Sequence, residues 1–318
     1  IWYPKHLSLE QCSSEVTARY KARLLQGDSL TDLTGGFGID CSFLATGFKS
    51  ATYVERQEEL CEIAAHNFPV LNLNHINIKN EDGVTYLQAM SPVDCLFLDP
   101  ARRNEHGGKT VAISDCEPNV AELEELLLQK ANRVMIKLSP MLDLSLALKE
   151  LKQTQEVHIL SVNNECKELL ILLGQTSPAE ISIHCVNLFT KGTQKEQHFV
   201  FTREQEQCSE CTYTDSLETY LYEPNASLLK AGAFRSIAAA YPVRKLHPNS
   251  HLYTSDTFIE NFPGRIFRIV NQCSFNKKEV KENLADLKKA NVTVRNFPAT
   301  VAELRKRCLL YTSDAADE

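Results

Sequence analysis

The chain has 318 residues, of which 43% are hydrophobic and 24% charged, and its formal net charge is −7. This length predicts roughly two domains of ~100–200 residues each, and the composition is that of a globular protein rather than a disordered or fibrous one. No apolar run reaches the ~18 residues that a membrane-spanning helix needs, so no membrane segment is predicted. Eleven cysteines, scattered mostly singly through apolar runs, favour a reducing, cytoplasmic location.

The charge is distributed unevenly along the chain. Residues 228–310 contain 15 lysines and arginines against 6 acidic residues, whereas residues 1–227 contain 19 basic against 32 acidic ones. A basic C-terminal region is typical of a protein that binds nucleic acid. Solvated helix faces account for the same charges equally well, so both interpretations stay open.

Helix-like and strand-like segments alternate through the first 200 residues. A helix with serine caps is predicted over residues 9–26, and a short buried strand, LTDL, follows it. Further strands, with helices between most of them, are predicted at ATYVER, INIKN, VDCLFLDP, RVMIKLSP, EVHILSV, KELLILLG and ISIHCVNLF. Near-continuous apolar strands in such alternation predict an α/β fold with a Rossmann-like, doubly wound and mostly parallel sheet.

The pattern changes after about Phe201, where the polar stretch TREQEQCSECTYTD indicates a domain boundary. Beyond it we predict a smaller α+β region. Its elements are a helix ending at Pro242, strands HLYTS and GRIFRIVNQC, a helix over NKKEVKENLADLKKANV, a strand VTVRNF and a last helix from about Thr300. Residues 311–318 show no relation to this pattern and are expected to be a non-native tail.

The segment LTDLTGGFGID is the first candidate binding loop. Gly35, Gly36 and Gly38 allow positive φ and a close approach of the backbone to a ligand, and Asp32 lies at the end of the preceding strand. A triphosphate loop would need a lysine and a hydroxyl after the glycines, and neither is present. Acidic residues on both sides of the glycines instead suit a ligand that carries an ammonium group and a sulfonium.

Acidic residues also end the next three strands. Glu55 follows Asp32 by 23 residues, where a carboxylate can bind both hydroxyls of a ribose, and Asp82 is placed to accept from an adenine amino group. Asp99 ends the fourth strand in the motif FLDPARR. Because the carboxyl ends of parallel strands share one edge of the sheet, we expect the four acids to converge on one crevice.

These motifs resemble class I S-adenosylmethionine-dependent methyltransferases, with DLTGGFG as the glycine motif and DPAR as the motif of the catalytic strand. The resemblance spans about residues 9–200 and implies a seven-stranded, mostly parallel sheet. It also implies that S-adenosylmethionine is the cofactor. The cofactor-binding residues that it implies are Asp32, Thr34, Gly35, Gly36, Gly38, Glu55, Arg56, Asp82, Gly83 and Asp99.

A narrower resemblance covers almost the whole chain. The segments YKARLL, LDPARR, YEPNASLLKAG and VRNFPATVAELRKR are similar to a bacterial methyltransferase family with a ferredoxin-like insert and a C-terminal THUMP-like domain. This resemblance implies a methyltransferase domain with an N-terminal helix over 1–205, a linker and ferredoxin-like domain over 206–264, and a truncated THUMP-like domain over 265–310. THUMP-type domains are associated with RNA, so the implied partner is RNA, bound through the basic C-terminal region.

The DPAR motif carries the predicted catalytic residues, Asp99, Pro100 and Arg102. An exocyclic amine can donate to the Asp99 carboxylate and to the Pro100 carbonyl, which aims its lone pair at the methyl group. Ala101 stands where amino-methyltransferases of the [DN]PP[YF] type have a second proline, so that parallel is incomplete. Arg102 suits stacking on a base or binding a phosphate, and Cys116 is a weaker candidate for a nucleophile.

We therefore predict an S-adenosylmethionine-dependent methyltransferase that modifies a base nitrogen of tRNA or rRNA in the cytoplasm. Alternatives left open are an RNA-binding protein without catalysis, a methyltransferase of another substrate, and a dinucleotide oxidoreductase, although GGFG lacks the GxGxxG spacing. No metal site is predicted, because the one CxxC, at Cys208 and Cys211, has no partner pair and no HExxH or HxH spacing occurs.

Overall fold

A computed structural model describes residues 1–4, 12–102, 112–176, 178–285, 287, 289–295 and 297–308. The chain forms two compact units. The first comprises Ile1–Cys208 together with Asn225–Ala233, and the second comprises Ser209–Pro224 together with Phe234–Glu318. The tail at 311–318 lies outside the described residues, as do Arg103 and the glycines that follow it in the sequence.

The first unit contains eleven strands and eight α-helices among its described residues. Its strands are β1 (Ser29–Asp32), β2 (Ser50–Glu55), β3 (Ile76–Asn80), β4 (Val93–Leu98), β5 (Ala101–Arg102), β6 (Cys116–Glu117), β7 (Ala131–Leu138), β8 (Thr154–Val162), β9 (Glu165–Gly174), β10 (Ser182–Leu188) and β11 (Glu196–Thr202). Its helices are α1 (Glu15–Ala22), α2 (Ile39–Leu44), α3 (Glu58–Val70), α4 (Gly83–Ala89), α5 (Val120–Lys130), α6 (Leu144–Glu150), α7 (Arg203–Cys208) and α8 (Ala226–Ala231).

Nine of these strands form one sheet in the order β11-β10-β8-β9-β7-β4-β1-β2-β3. Strand β9 runs antiparallel to both of its neighbours and β11 runs antiparallel to β10, while the other five pairings are parallel. The predicted mostly parallel α/β sheet is confirmed. It has nine strands rather than seven, because β10 and β11 extend the edge beyond β8.

The central strands are buried on both faces, as their sequences predict. The run from Leu169 to Leu173 in β9 is at most 1% exposed, and Leu96 to Leu98 in β4 are equally buried. Ring packing of Tyr53 against Phe68, with centroids 5.4 Å apart, joins β2 to α3. Burial on both faces explains why these strands lack polar alternation.

Helix α8 belongs to the first unit although the residues before and after it belong to the second. It packs on β8, β9 and β10. The side chain of Asn225 caps its first turn at Leu228 N, and Asn164 Oδ1 accepts a hydrogen bond from Ala226 N at 2.8 Å. Lys230 Nζ donates to the carbonyl of Leu142 at 2.6 Å. These contacts fix the helix against the sheet.

The second unit is built on a four-stranded antiparallel sheet in the order β13-β14-β12-β15. Its core is aromatic, since Tyr222, Tyr253 and Phe262 are at most 1% exposed. Its elements are β12 (Tyr220–Pro224), α9 (Phe234–Ala240), β13 (Arg244–His247), β14 (Ser250–Ser255), β15 (Gly264–Arg268), α10 (Lys277–Asn283) and α11 (Val301–Cys308).

Three predicted elements of the C-terminal region differ from the structure. The helix predicted up to Pro242 is two helices, α8 and α9, because Gly232 ends α8 with a φ of 77°. The helix predicted over NKKEVKENLADLKKANV ends after seven residues at Asn283. The described residues of VTVRNF form no strand.

In the parts of the chain that the structure covers, no helix is long and apolar enough to cross a membrane. The cysteines in those parts form no disulfide.

Candidate functional site

The strand order reverses at β1, which lies between β4 and β2 and runs parallel to both. The chain winds to β2 and β3 on one side of β1, and to β4 and β7 on the other. Open α/β sheets bind their ligands outside the carboxyl ends of the strands at this kind of position. The loops after β1, β2, β3, β4 and β7 all leave this edge, and they contain the predicted site residues.

The glycine loop after β1 is pressed against β2. Gly35 N donates to Val54 O at 2.9 Å, and Tyr53 OH donates to Gly36 O at 2.5 Å. A Cβ atom added to Gly35 would collide with the buried ring of Tyr53. Gly36 and Gly38 have φ values of 53° and 83°, which favour glycine. The loop therefore needs glycine at position 35 for space and at positions 36 and 38 for backbone conformation.

Glu55 lies at the end of β2, and its carboxylate accepts hydrogen bonds from the backbone of two loops. Its Oε2 accepts from Gly36 N at 2.9 Å and its Oε1 from Gln57 N at 2.8 Å. Each carboxylate oxygen has two acceptor positions, so both oxygens retain capacity for a ligand hydroxyl. The predicted ribose acid therefore lies directly beside the glycine loop.

Asp32 is 1% exposed, and burial raises the pKa of its carboxyl to about 8. Its Oδ1 accepts from Thr34 N at 3.0 Å. Thr34 Oγ1 in turn accepts from Asp99 N at 2.6 Å, which ties the loop after β1 to the end of β4. The structure thus brings three of the predicted residues into one short hydrogen-bonded path.

Asp82 caps α4 with one oxygen. Its Oδ1 accepts from Val84 N at 3.1 Å and Thr85 N at 2.9 Å, and the residue is exposed. A Cβ atom on Gly83 would collide with the Leu33 carbonyl, so the start of α4 lies close to the loop after β1. Arg56 lies farther out, where its guanidinium contacts the exposed Glu117 at 3.4 Å.

Asp99 forms an ion pair that the sequence did not predict. Lys137 Nζ, from the end of β7, lies 2.5 Å from Asp99 Oδ2 and 3.3 Å from Asp40 Oδ2. Burial opposes the charge on Lys137, but the two carboxylates outweigh it and raise the pKa of the ammonium group. The Asp99 carboxylate is therefore held in position by the ammonium group of Lys137.

A second lysine extends this pair into a buried ionic cluster, which we call the Lys21 cluster. Lys21, on α1, is 0% exposed, and its Nζ lies 2.6 Å from Glu168 Oε2, 3.0 Å from Asp40 Oδ1 and 2.8 Å from Ser13 Oγ. Two of these contacts, to Ser13 and Glu168, are hydrogen bonds, and the contact with Asp40 is an ion pair. Burial alone would raise the pKa of Asp40, but the two ammonium groups, on Lys21 and Lys137, hold it below its ordinary value.

Sequence reasoning missed Lys21 and Glu168. One signal was present, because Lys21 shares a helix face with Thr17, Tyr20 and Leu24 at i, i+3, i+4 and i+7 spacing, where an apolar residue is expected. Glu168 directly precedes the apolar run Leu169 to Leu173, and nothing in that pattern indicates a buried ionic contact.

The rest of the DPAR motif enters a small two-stranded ladder. Ala101 pairs with Glu117 and Arg102 with Cys116 through their backbones. The side chain of Arg102 lies outside what the structure describes. Cys116 is 2% exposed, which is a burial typical of a packed thiol.

Comparisons with known proteins agree on one family. A family model of a ferredoxin-like domain matches residues 220–263, and a model of a THUMP domain-like region matches residues 264–316. A curated but uncharacterised S-adenosylmethionine-dependent methyltransferase of Mycobacterium tuberculosis is 21% identical over 98% of this chain and 82% of its own length. A crystal structure from Porphyromonas gingivalis W83, provisionally named a methyltransferase, is 37% identical with a TM-score of 0.89, and the match covers 98% of this chain and 78% of that one.

The chain therefore belongs to the family of S-adenosylmethionine-dependent methyltransferases that carry a ferredoxin-like and a THUMP-like domain, and S-adenosylmethionine is its cofactor.

Proposed function

We propose that this methyltransferase modifies a base nitrogen in RNA, either tRNA or rRNA. The observation that carries this proposal is the position of Asp99 at the end of β4, bonded to Thr34 beside Asp32 and held by Lys137 at 2.5 Å. This places a fixed carboxylate next to the proposed cofactor loop. The proposed domains are those expected from the sequence, 1–205, 206–264 and 265–310, and the proposed location is the cytoplasm.

The residues at this edge fit the cofactor. Asp32 is a buried carboxyl with a raised pKa, and a ligand ammonium group is the charge that would stabilise its ionised form. Glu55 retains acceptor positions for ribose hydroxyls. The proposed cofactor-binding set is Asp32, Thr34, Gly35, Gly36, Gly38, Glu55, Arg56, Asp82, Gly83 and Asp99.

S-adenosylmethionine supplies a methyl group on a sulfonium, whose displacement needs alignment more than acid–base assistance because the departing thioether is neutral. Asp99 provides that alignment in this proposal. One of its oxygens contacts Lys137, and the other, with the Pro100 carbonyl, would accept both N–H bonds of an exocyclic amine. The nitrogen lone pair then points away from the two acceptors and towards the methyl group. As the N–C bond forms and the C–S bond breaks, the nitrogen loses one proton, which passes to the Asp99 carboxylate and from there to solvent.

An aromatic and basic sheet face in the second unit supports RNA as the substrate. Register places Leu221 opposite Phe267 and opposite Thr254, and Thr254 opposite Arg244, so these side chains share one face. Phe267 is 44% exposed, and the Arg265 guanidinium lies 5.6 Å from the centroid of its ring. Exposed aromatic rings with arginines are what single-stranded RNA binds by stacking.

The arginines on this face are held by glutamates. Arg265 Nε donates to Glu223 Oε2 at 2.9 Å, and Arg244 forms an ion pair with Glu218. Both arginine side chains nevertheless remain about half exposed, at 50% and 48%. Each guanidinium is thus oriented by its partner and still accessible to a phosphate or a base.

The substrate test uses cofactor labelled in its methyl group. The full chain is incubated separately with total RNA, a protein pool and a small-molecule pool, and label is expected in nuclease-sensitive RNA with the methyl group on a base nitrogen. Label confined to protein or to small molecules would reject RNA as the substrate.

A pair of variants tests Asp99. Asp99→Asn should lower methyl transfer by roughly 100-fold or more, because the acceptor loses its alignment, and should largely spare binding of the demethylated cofactor. Asp94→Asn is the matched control, since Asp94 lies on the same strand at its opposite end, where it accepts from Asp28 N and Ser29 N. An unchanged transfer rate in Asp99→Asn would remove Asp99 from the reaction.

A further inference from the structure

Polar side chains gather on one face of the sheet where β8 and β10 run side by side. The two strands pair in parallel, with Glu156 opposite Ser182 and His158 opposite His184. Residues two apart on a strand share a face, so all four side chains project to the same side. These positions lie in the amino-terminal half of β8, whereas the cofactor loops leave the carboxyl ends of the strands.

Three of these side chains have the chemistry and spacing of a metal site. Glu156, His158 and His184 each offer one ligand atom, and these atoms lie within 4.8 Å of one another. Glu156 Oε2 is 3.2 Å from His158 Nε2, and His184 Nε2 is 3.2 Å from Ser182 Oγ on the same side. The rings of His158 and His184 are stacked face to face, with centroids 4.3 Å apart and an angle of 17° between their planes.

Each of the three side chains is also oriented by an outer partner through its other polar atom. Tyr20 OH, from α1, lies 2.8 Å from His158 Nδ1, and His198 Nε2, from β11, lies 3.1 Å from His184 Nδ1. Arg133 donates to Glu156 Oε1 at 2.9 Å. Metal-ligating histidines and carboxylates in proteins are oriented in this way by an outer partner on the second polar atom. The first atoms contact each other or Ser182 in this structure, and an ion would replace the contact between Glu156 Oε2 and His158 Nε2.

We propose that Glu156, His158 and His184 bind a divalent transition-metal ion, with zinc as the best match. Two imidazoles and one carboxylate suit zinc or ferrous iron rather than magnesium or calcium, which prefer all-oxygen sites. In a tetrahedral zinc site with bonds of about 2.0–2.1 Å the ligand atoms are closer than 4.8 Å, and each imidazole binds along a lone pair in its ring plane. Binding therefore draws the three side chains together and turns the two stacked rings so that their nitrogens converge on the ion. Ser182 Oγ or a water molecule completes the coordination.

The structure assigns this ion a stabilising role rather than a catalytic one. It would join β8 to β10 and, through Tyr20, hold α1 against them. Helix α1 also carries Lys21, which contacts Asp40 and Glu168 near the proposed catalytic carboxylate. The site was not visible in the sequence because Glu156 and His184 are 28 positions apart and become neighbours only through strand pairing.

The test uses the full chain stripped of metal with a chelator. Zinc titration should show one ion per chain and raise the melting temperature, and cobalt should give the visible spectrum of nitrogen and oxygen ligation without thiolate charge-transfer bands. Thiolate bands in the cobalt complex, or no saturable binding of either ion, would overturn the proposal.

Three variants locate the site. Replacements Glu156→Gln and His184→Gln should abolish the cobalt spectrum, and Tyr20→Phe should weaken zinc binding by roughly 10- to 100-fold because it removes an outer-shell partner. His75→Gln is the matched control, since this imidazole contacts the Ala45 carbonyl elsewhere in the unit, and its binding should equal that of the wild type. Wild-type affinity in Tyr20→Phe together with wild-type spectra in the two ligand variants would overturn the assignment, and circular dichroism confirms that each variant is folded.

Discussion

Replacing Asp32 by asparagine tests two properties of this buried carboxyl: its pH-dependent effect on the unfolding free energy, and its contribution to cofactor binding. The pKa of Asp32 is about 8 in the folded protein, against ~3.9 in an unfolded chain. Between pH 5 and pH 7 the carboxyl is therefore protonated when folded and ionised when unfolded. The stability that Asp32 contributes is full below about pH 4 and is lost as the pH rises towards 8, at ~1.4 kcal/mol per pH unit.

The variant Asp32→Asn should not show this loss, because asparagine does not titrate and its Oδ1 can still accept from Thr34 N. From pH 5 to pH 7 the wild type should therefore lose about 3 kcal/mol of unfolding free energy relative to the variant. Urea unfolding of both proteins without cofactor, followed by circular dichroism at pH 5, 6 and 7, measures this difference. Because the two proteins are compared at each pH, the contributions of groups that do not interact with Asp32 cancel.

A difference that does not vary with pH would refute the reasoning, because it would mean that Asp32 is already ionised at pH 5. The second arm measures binding of the demethylated cofactor, which retains the ammonium group. At pH 7 the wild type should release close to one proton per ligand bound, as shown by calorimetry in buffers of different ionisation enthalpy. Affinity should rise with pH up to about 8, and Asp32→Asn should bind far more weakly.

Three further outcomes are expected. Lys21→Met should destabilise the protein by ~3–5 kcal/mol, because it leaves the buried Glu168 carboxylate without its ion-pair partner, and adding Glu168→Leu should recover part of that loss. Gly35→Ala should cost ~1–3 kcal/mol of stability and weaken cofactor binding, because its methyl group collides with an aromatic ring, whereas Gly47→Ala has open space and should do neither. Phe267→Ala should weaken RNA binding roughly 5- to 150-fold, which equals the ~1–3 kcal/mol of one base stack.

Each of these outcomes has a contrary result. If the double variant Lys21→Met/Glu168→Leu is no more stable than Lys21→Met alone, the unpaired Glu168 carboxylate is not the source of the destabilisation. Equal effects of the alanines at Gly35 and Gly47 would remove the steric argument for the glycine loop. Phe258 is 56% exposed and lies against Tyr220 on the other face of the sheet, so an equal loss of RNA affinity in Phe258→Ala would contradict a specific role for the Phe267 face.

The sequence predicted the large sheet because central strands leave a strong local signal. A run such as Leu169 to Leu173 is apolar at every position since it is buried on both faces. Strand β11, EQHFVFT, was missed because it is an edge strand with mostly half-exposed side chains. The break at Gly232 was missed because one glycine in an otherwise helical pattern is compatible with either a tolerated residue or a C-terminal cap.

The residues of the candidate site also fall into those that the sequence could predict and those that it could not. Asp32, Glu55, Asp82 and Asp99 could be predicted because strand ends are readable from the sequence and meet at one edge of the sheet. The Lys21 cluster could not, because Lys21 and Glu168 are 147 positions apart and their contact depends on how α1 packs. The position of Lys137 at the end of its strand is readable from the sequence, but its ion pair with Asp99 depends on the pairing of β7 with β4.

Helix α8 determines which fragments of this protein can be expressed separately. The chain leaves the first unit after Cys208, returns for Asn225–Ala233 and leaves again, so no single cut separates the two units. A fragment that stops at Cys208 would lack the helix that packs on β8, β9 and β10 and would expose the apolar surface beneath it. A recombinant fragment meant to isolate methyl transfer must therefore keep both stretches and replace residues 209–224 with a flexible linker.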